Sequence, residues 1–501
     1  MKFTISSCLL LFVLTLHSAA LGKDIVENQF QDTRNNNKLP SASRNLDNFA
    51  DLFDDGYWKQ LGGKVYGSNH FDASGTAVAI SKNGDIIAIG SPFHPQNGTK
   101  SGCAKIYMYA NKQWTQRGET IYGEGSEDEF GSSLDLNSDG KILAVGAPMN
   151  DGVGPHGGSV KVYEYDEVEV GGKLLSAWRQ MGEEINGESQ RDYSGAAISL
   201  SDDGKTLAIA ANQNTGENGA LSGHVRVFHF SNSGWSQMGN DIDGPGPTAL
   251  FGTSVSLAGS GNVVAIGAPK YRQTGQTRVY RYVELTKTWD QLGNGISGEL
   301  PYESSGASIA ISQYGLTIAI GAPEYGIDTR KGAARIYQWS DAALQWFQLG
   351  KSIYGENDDD RFGTSLALSA NGRIVAVGAP MNGKNNGTMY AAGHTRIYTY
   401  MPWSSSWVLV DKDIDGKAGD LFGTSVALSY DGRTAIIGAP GEDYSTSRVD
   451  SGSAGVYQWV EGASSTPKPT PAPTSNEGKT LNSIIVPGTM AIIVLSLQFM
   501  V

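Results

Sequence analysis

Hydrophobic and polar positions follow one pattern that returns seven times along the chain. From Trp346 one unit reads WFQLGKSIYG, FGTSLALS, RIVAVGAP and HTRIYTY, separated by polar stretches. The first two runs alternate as half-buried strands do, whereas IVAVGAP is apolar almost throughout and rich in small residues, as suits a strand covered on both faces. The turns ISKNG, LNSDG, LSDDG, LSANG and LSYDG place Asn or Asp before Gly, residues that tolerate the positive φ of tight hairpins. Each unit is therefore predicted to be a small sheet of four short antiparallel strands.

WKQLG at Trp58 returns as WTQRG, WRQMG, WSQMG, WDQLG and WFQLG at Trp114, Trp178, Trp235, Trp289 and Trp346, with a worn copy, WVLVD, at Trp407. The spacing of about 58 residues lies at the upper end of the periods that mark propellers and arrays. Three-strand groups begin at Phe71, Phe130, Tyr193, Phe251, Ser304, Phe362 and Phe422. Seven W strands and seven groups predict an all-β fold, a seven-bladed β-propeller over residues 57–461. The last group, ending in GSAGVYQWV, lacks a fourth strand, and Trp58 to Val65 is expected to supply it, closing the ring and removing an open edge.

Both flanks read as processing or tethering segments. Residues 1–20 carry one Lys, an apolar run and the small residues Ser18, Ala19 and Ala20, the pattern of a secretory signal peptide. Residues 21–56 are polar and Asn-rich, too poor in apolar surface to order themselves. Residues 462–478 form a Pro/Thr-rich stalk that favours extended conformations. Residues 479–501 end in the apolar run Ile484 to Val501 with no charge after it, and Pro487 and Gly488 interrupt it. A polar spacer before a terminal hydrophobic tail is expected of a GPI attachment signal, with Asn476 as the lipidated residue and Ser475 as its alternative. A tail-inserted helix is the competing reading. The expected location is the outer leaflet of the plasma membrane or the cell wall, with the membrane reached through the lipid.

Composition narrows the partners. With 38 Lys plus Arg against 51 Asp plus Glu, a net charge of −13 and no basic cluster, nucleic acid is not an expected partner. Cys8 falls in the leader, so Cys103, at the start of CAKIYMY, stands alone and is expected to be a buried, inert thiol. The N-x-T sequons at Asn97 and Asn386 lie in polar loops suited to glycosylation.

The recurring FGTS, the GAP of IGAP and VGAP, and the closing GxVRVY-like strand resemble FG-GAP repeats, the units of the integrin α-subunit N-terminal propeller and of many secreted surface proteins. FG is intact at Phe130, Phe251, Phe362 and Phe422, while GAP becomes GSP at Gly90 and AAN at Ala210. The resemblance implies calcium, because integrin-type repeats often hold it in a D-x-D-x-D-G loop between the FG and GAP strands. Here that loop is mostly cut to a turn. DLNSDGKIL from Asp135 comes nearest but has Leu143 where the last carboxylate belongs. DKDIDGKAGD offers Asp411, Asp413, Asp415 and Asp420, but the first three align with an outer W strand whose alternate residues face water. No cofactor is expected, and these four remain the weak calcium candidates.

In six of the seven FG groups an acid stands three places before the second Gly, as Asp72, Asp128, Asp192, Glu303, Asp360 and Asp420. It reads either as a ring of carboxylates on one face or as a side chain bonded to its own loop, the reading its recurrence favours. The histidines beyond the leader, His70, His94, His156, His224, His229 and His394, form no H-E-x-x-H pair and read as lone surface residues; no G-x-S-x-G elbow occurs. The chain is accordingly not expected to be an enzyme. Its leading function is non-catalytic binding or adhesion to a protein or extracellular glycan; the alternative is an extracellular carbohydrate-active enzyme on a propeller. Loops between the second and third strands vary widely and share a face with the acidic connections GEGSEDEF and GENDDDRF. Variable loops on a rigid scaffold concentrate binding. Asp128, Asp358, Asp359, Asp360, Tyr271, Tyr325, Tyr390 and Tyr444 are the candidate ligand-binding residues of that face. It should favour a cationic or polyhydroxyl partner, or one bridged by a metal ion. Oligomeric state stays open.

Overall fold

The computed structural model describes residues 56–462 apart from 171–172, 384–389 and 447. The expected leader, lead-in, stalk and tail, with Asn476 and the Asn386 sequon, lie outside the described residues. No helix among the described residues is long and apolar enough to cross a membrane.

Seven small antiparallel sheets form the seven blades of a propeller. In blade one the inner strand is Ala77–Ile80, the second Ile86–Ser91 and the third Cys103–Ala110. The outer strand comes in two pieces, Gln113–Gln116 and Ile121–Tyr122, both paired with the third strand. The same break recurs in every blade, so the W strand is a bulged outer strand rather than one continuous run. Blade seven takes its outer strand from the N-terminal side, with Trp58 opposite Trp459 and Val65 opposite Ala454, as the repeat order predicts.

The GAP motif records how blades touch. A Cβ on Gly378 would stand 2.1 Å from the Gly423 carbonyl oxygen of the next blade, and one on Gly438 would stand 2.0 Å from that of Gly75. Only glycine permits that approach. Ser365 and Ser425, the Ser of FGTS, then reach the same two carbonyls at 2.8 Å. Between blades the side chains pack as shared cores, with the FG phenylalanines Phe251, Phe362 and Phe422 fully enclosed. The repeated tryptophans stitch the outside, as where Trp114 Nε1 donates to the Leu61 carbonyl at 2.8 Å and Trp407 Nε1 to that of Leu349 at 2.7 Å.

Around the channel mouth the tight turns join in a closed circle of backbone hydrogen bonds. Lys82 donates to Ser138, Ser138 to Asp202, Asp202 to Gly259, Gly259 to Gln313, Gln313 to Ala370, Ala370 to Tyr430, and Tyr430 back to Lys82, at 2.8–3.1 Å. The channel behind it encloses about 330 Å³. The antiparallel order sends these turns to one face and the variable loops to the other.

Candidate functional site

On the loop face each blade ends in a connection crossing to the next inner strand, and the recurrent acid shapes it. Asp360 accepts the Glu356 and Asn357 amides at 3.0 and 2.7 Å, and Asp72 those of Ser68 and Asn69 at 2.7 and 2.8 Å. Asp128, Asp192, Glu303 and Asp420 each accept an amide three residues before them. Asn150 and Asn382, from the next variable loop, donate to Asp128 and Asp360 at 3.2 and 2.9 Å. Asp128 and Asp360 are thus buried pins that hold two loops together, which corrects their reading as ligand-binding residues. A carboxylate turned inward to donors of its own loop and shut from water does not present its oxygens to an outside ligand.

Asp358 and Asp359 behave differently. Both are exposed beside a cavity of about 680 Å³ between the loops of blades five and six, with Tyr390 on its wall. The acidic patch expected of GENDDDRF is not a field of one sign. Asp359 meets Arg330 at 2.5 Å, Asp358 meets Lys331 at 3.6 Å, and Arg361 approaches Glu324 at 3.8 Å. Arg330, Lys331 and Arg361 escaped the sequence reading; DRF sets Arg361 next to Asp360, whereas Arg330 and Lys331 come from another loop, EYGIDTRKG.

The four candidate tyrosines do not share the groove; only Tyr390, 76% exposed, lines it. Tyr325 leans on Tyr354 with ring centroids 5.0 Å apart. Tyr271 lies under the Arg272 and Arg278 guanidinium groups, and the Arg448 guanidinium covers Tyr444 at 3.6 Å. Asn97 is exposed, with its amide Nδ2 donating to the Gly123 carbonyl at 2.7 Å.

The calcium look-alikes disperse. Asp411 accepts the Trp58 backbone N–H at 2.9 Å, Asp413 is clamped by Arg396 at 2.8 and 2.9 Å, Asp415 pairs opposite His394 in the outer strand, and Asp420 pins its loop. Asp135 lies in an inner strand, not in a loop, and accepts the Leu136 and Leu200 amides at 2.9 and 2.8 Å. Cys103 is buried, and burial pushes its thiol up to about 12. The histidines are not uniformly at the surface. His70 and His229 are exposed, but His94 is buried within its loop, and His224 and His394 are buried because each opens a third strand.

Among solved structures, the chain aligns with a candidate 6-phosphogluconolactonase from Bacteroides uniformis at 10% identity and a TM-score of 0.45, covering 69% of this chain and 86% of that one. The periplasmic gluconolactonase of Pseudomonas aeruginosa aligns at 16% identity and 0.44, again over 69% and 86%. A candidate 6-phosphogluconolactonase from Bacteroides fragilis gives 12%, 0.44, 69% and 85%. These names overturn the expectation that the chain is not an enzyme, which is not carried further; at this similarity no activity passes from them to this chain. No curated protein matches it. Residues 408–457 match the FG-GAP repeat, and that stretch runs from the outer strand of blade six through the first three strands of blade seven. With the same plan returning in all seven blades, this match fits the resemblance of the chain to FG-GAP repeats.

Proposed function

We propose that the propeller is a recognition module for an extracellular glycan, bound in the groove between the loops of blades five and six. The observation that carries this reading is the groove itself: about 680 Å³, walled by paired charges and an exposed tyrosine. Its volume lies within the roughly 300–1,000 Å³ of small-molecule sites. Guanidinium and carboxylate groups offer donors and acceptors to sugar hydroxyls, and the Tyr390 ring offers a face for stacking. Exposed ion pairs are worth little to the fold, so Asp358 and Asp359 can exchange partners cheaply.

The test is an array of extracellular glycans and matrix proteins probed with wild-type chain and with an Asp358→Asn, Asp359→Asn, Tyr390→Ala variant. The variant is expected to lose at least about tenfold in glycan retention, the equivalent of about 1.4 kcal/mol, at unchanged Tm. Retention unaltered by the three substitutions, or retention of matrix protein alone, overturns the glycan reading. Release of sugar products from a bound glycan would make the groove a reaction site as well.

A further inference from the structure

Blades three and six repeat one constellation that no other described part of the chain assembles: Glu188, His224 and Asp241 in the first, Glu356, His394 and Asp413 in the second. The histidine opens the third strand, the glutamate belongs to the connection from the preceding blade, and the aspartate lies just before the short second piece of the outer strand. At the histidine position the other blades carry Cys103, Ser159, Gln276, Ala333 and Ser453. The arrangement is therefore not a general requirement of the fold.

In blade three, His224 is 2% exposed, and its Nε2 is buried without a hydrogen-bond partner. Its Nδ1 points between two carboxylates, 3.6 Å from Asp241 Oδ2 and 3.9 Å from Glu188 Oε2. These distances are too long for hydrogen bonds. They are close to the separation of donors around one metal ion, since bonds of about 2.0–2.2 Å in a tetrahedron hold neighbouring donors about 3.3–3.6 Å apart. Burying an imidazole is costly where its nitrogens lack close partners, and neither carboxylate contact at Nδ1 is within bonding reach.

The two copies differ in what the neighbouring arginine does. Arg396 binds Asp413 through Nε and Nη2 at 2.8 and 2.9 Å and also contacts Glu356, so a guanidinium fills the blade-six copy. Arg226 instead turns to the Asn186 carbonyl at 2.6 Å and stays 3.6 Å from Glu188 Oε1, leaving Asp241 Oδ2 and Glu188 Oε2 open. Asp241 spends its other oxygen on Gln237 at 2.6 Å, which holds Oδ2 toward the ring.

We infer that Glu188, His224 and Asp241 form a binding site for a single divalent transition-metal ion of the zinc class. One imidazole nitrogen and two carboxylate oxygens suit that class, and three protein ligands leave a fourth position for water or a partner's oxygen. The site stands apart from the groove of blades five and six and does not rest on the glycan reading. The acids reach it from partly exposed side chains, and closing them onto the ion replaces the two long contacts by bonds.

The test titrates chelator-treated full chain with Zn2+ by calorimetry, beside a Glu188→Gln, Asp241→Asn variant and a Glu356→Gln variant. Wild type and Glu356→Gln are expected to take up one ion. The double variant is expected to bind at least about 100-fold more weakly, because changes to outer-shell partners alone cost 10–100-fold. Its Tm in chelator should match wild type, which separates lost ligation from lost folding. Anomalous scattering at the zinc edge should place the ion beside His224 Nδ1. Absence of saturable uptake by wild type, uptake unchanged in the double variant, or loss only in Glu356→Gln overturns the inference.

Discussion

Asp135 occupies an inner strand where its carboxylate accepts two backbone amides, one from the neighbouring blade, and protein surrounds it. Burial pushes its pKa up to about 6, above the ordinary 3.8, and the hydrogen bonds only partly oppose that shift. The fold thus favours the protonated form. The resulting stability is fully present below the ordinary value and is lost as pH rises through about 6. Against an Asp135→Asn variant, whose amide stays neutral, wild-type Tm should fall between pH about 5 and pH about 7.5; a constant difference would refute the shift. The same scale separates Asp360 from Asp358 and Asp359. All three sit in the run DDD, and recurrence correctly marks Asp360 as the loop pin. Recurrence could not reveal that Arg330 and Lys331, from another loop, pair with its neighbours.

At the scale of the element, the FG-GAP spelling states a steric requirement between blades. The GAP glycine lets the next FG carbonyl approach, and the FGTS serine bonds the same oxygen. Blade three departs at both positions together, with Ala210 for the glycine and Ala197 for the serine. Gly378→Ala should therefore destabilise the chain by about 1–3 kcal/mol, the cost of overpacking a core, because its new Cβ meets backbone that cannot rotate away. Denaturant unfolding measures it, and an unchanged midpoint would mean that the contact between blades six and seven yields to the added methyl without cost. The break in each outer strand was less legible. The W strand alternates through its whole length, and only pairing with the third strand reveals that the residues between its two pieces bulge.

The whole molecule is a ring, and its seam explains the worn seventh phrase. Where other copies have Gly after WxQx, the last has Asp411, and its carboxylate caps the backbone N–H of Trp58, the residue that completes blade seven. Deleting residues 57–66 should expose the edge of the third strand, Ser453–Val460. The expected result is self-association by light scattering and a Tm lowered by about 4 °C or more, a few kcal/mol at this size. A monomer with unchanged Tm would show that the seam is dispensable.

Strand order, blade count and closure were legible from the sequence because each depends on short-range signals repeated in register: alternation, Asn-Gly and Asp-Gly turns, and the glycines of FG and GAP. Only the tertiary structure decided which acids face water, that the groove carries both signs of charge, and that His224 and His394 leave the surface to stand between carboxylates. Those outcomes depend on side chains from neighbouring blades meeting across gaps of tens of residues, and no local periodicity encodes such a meeting.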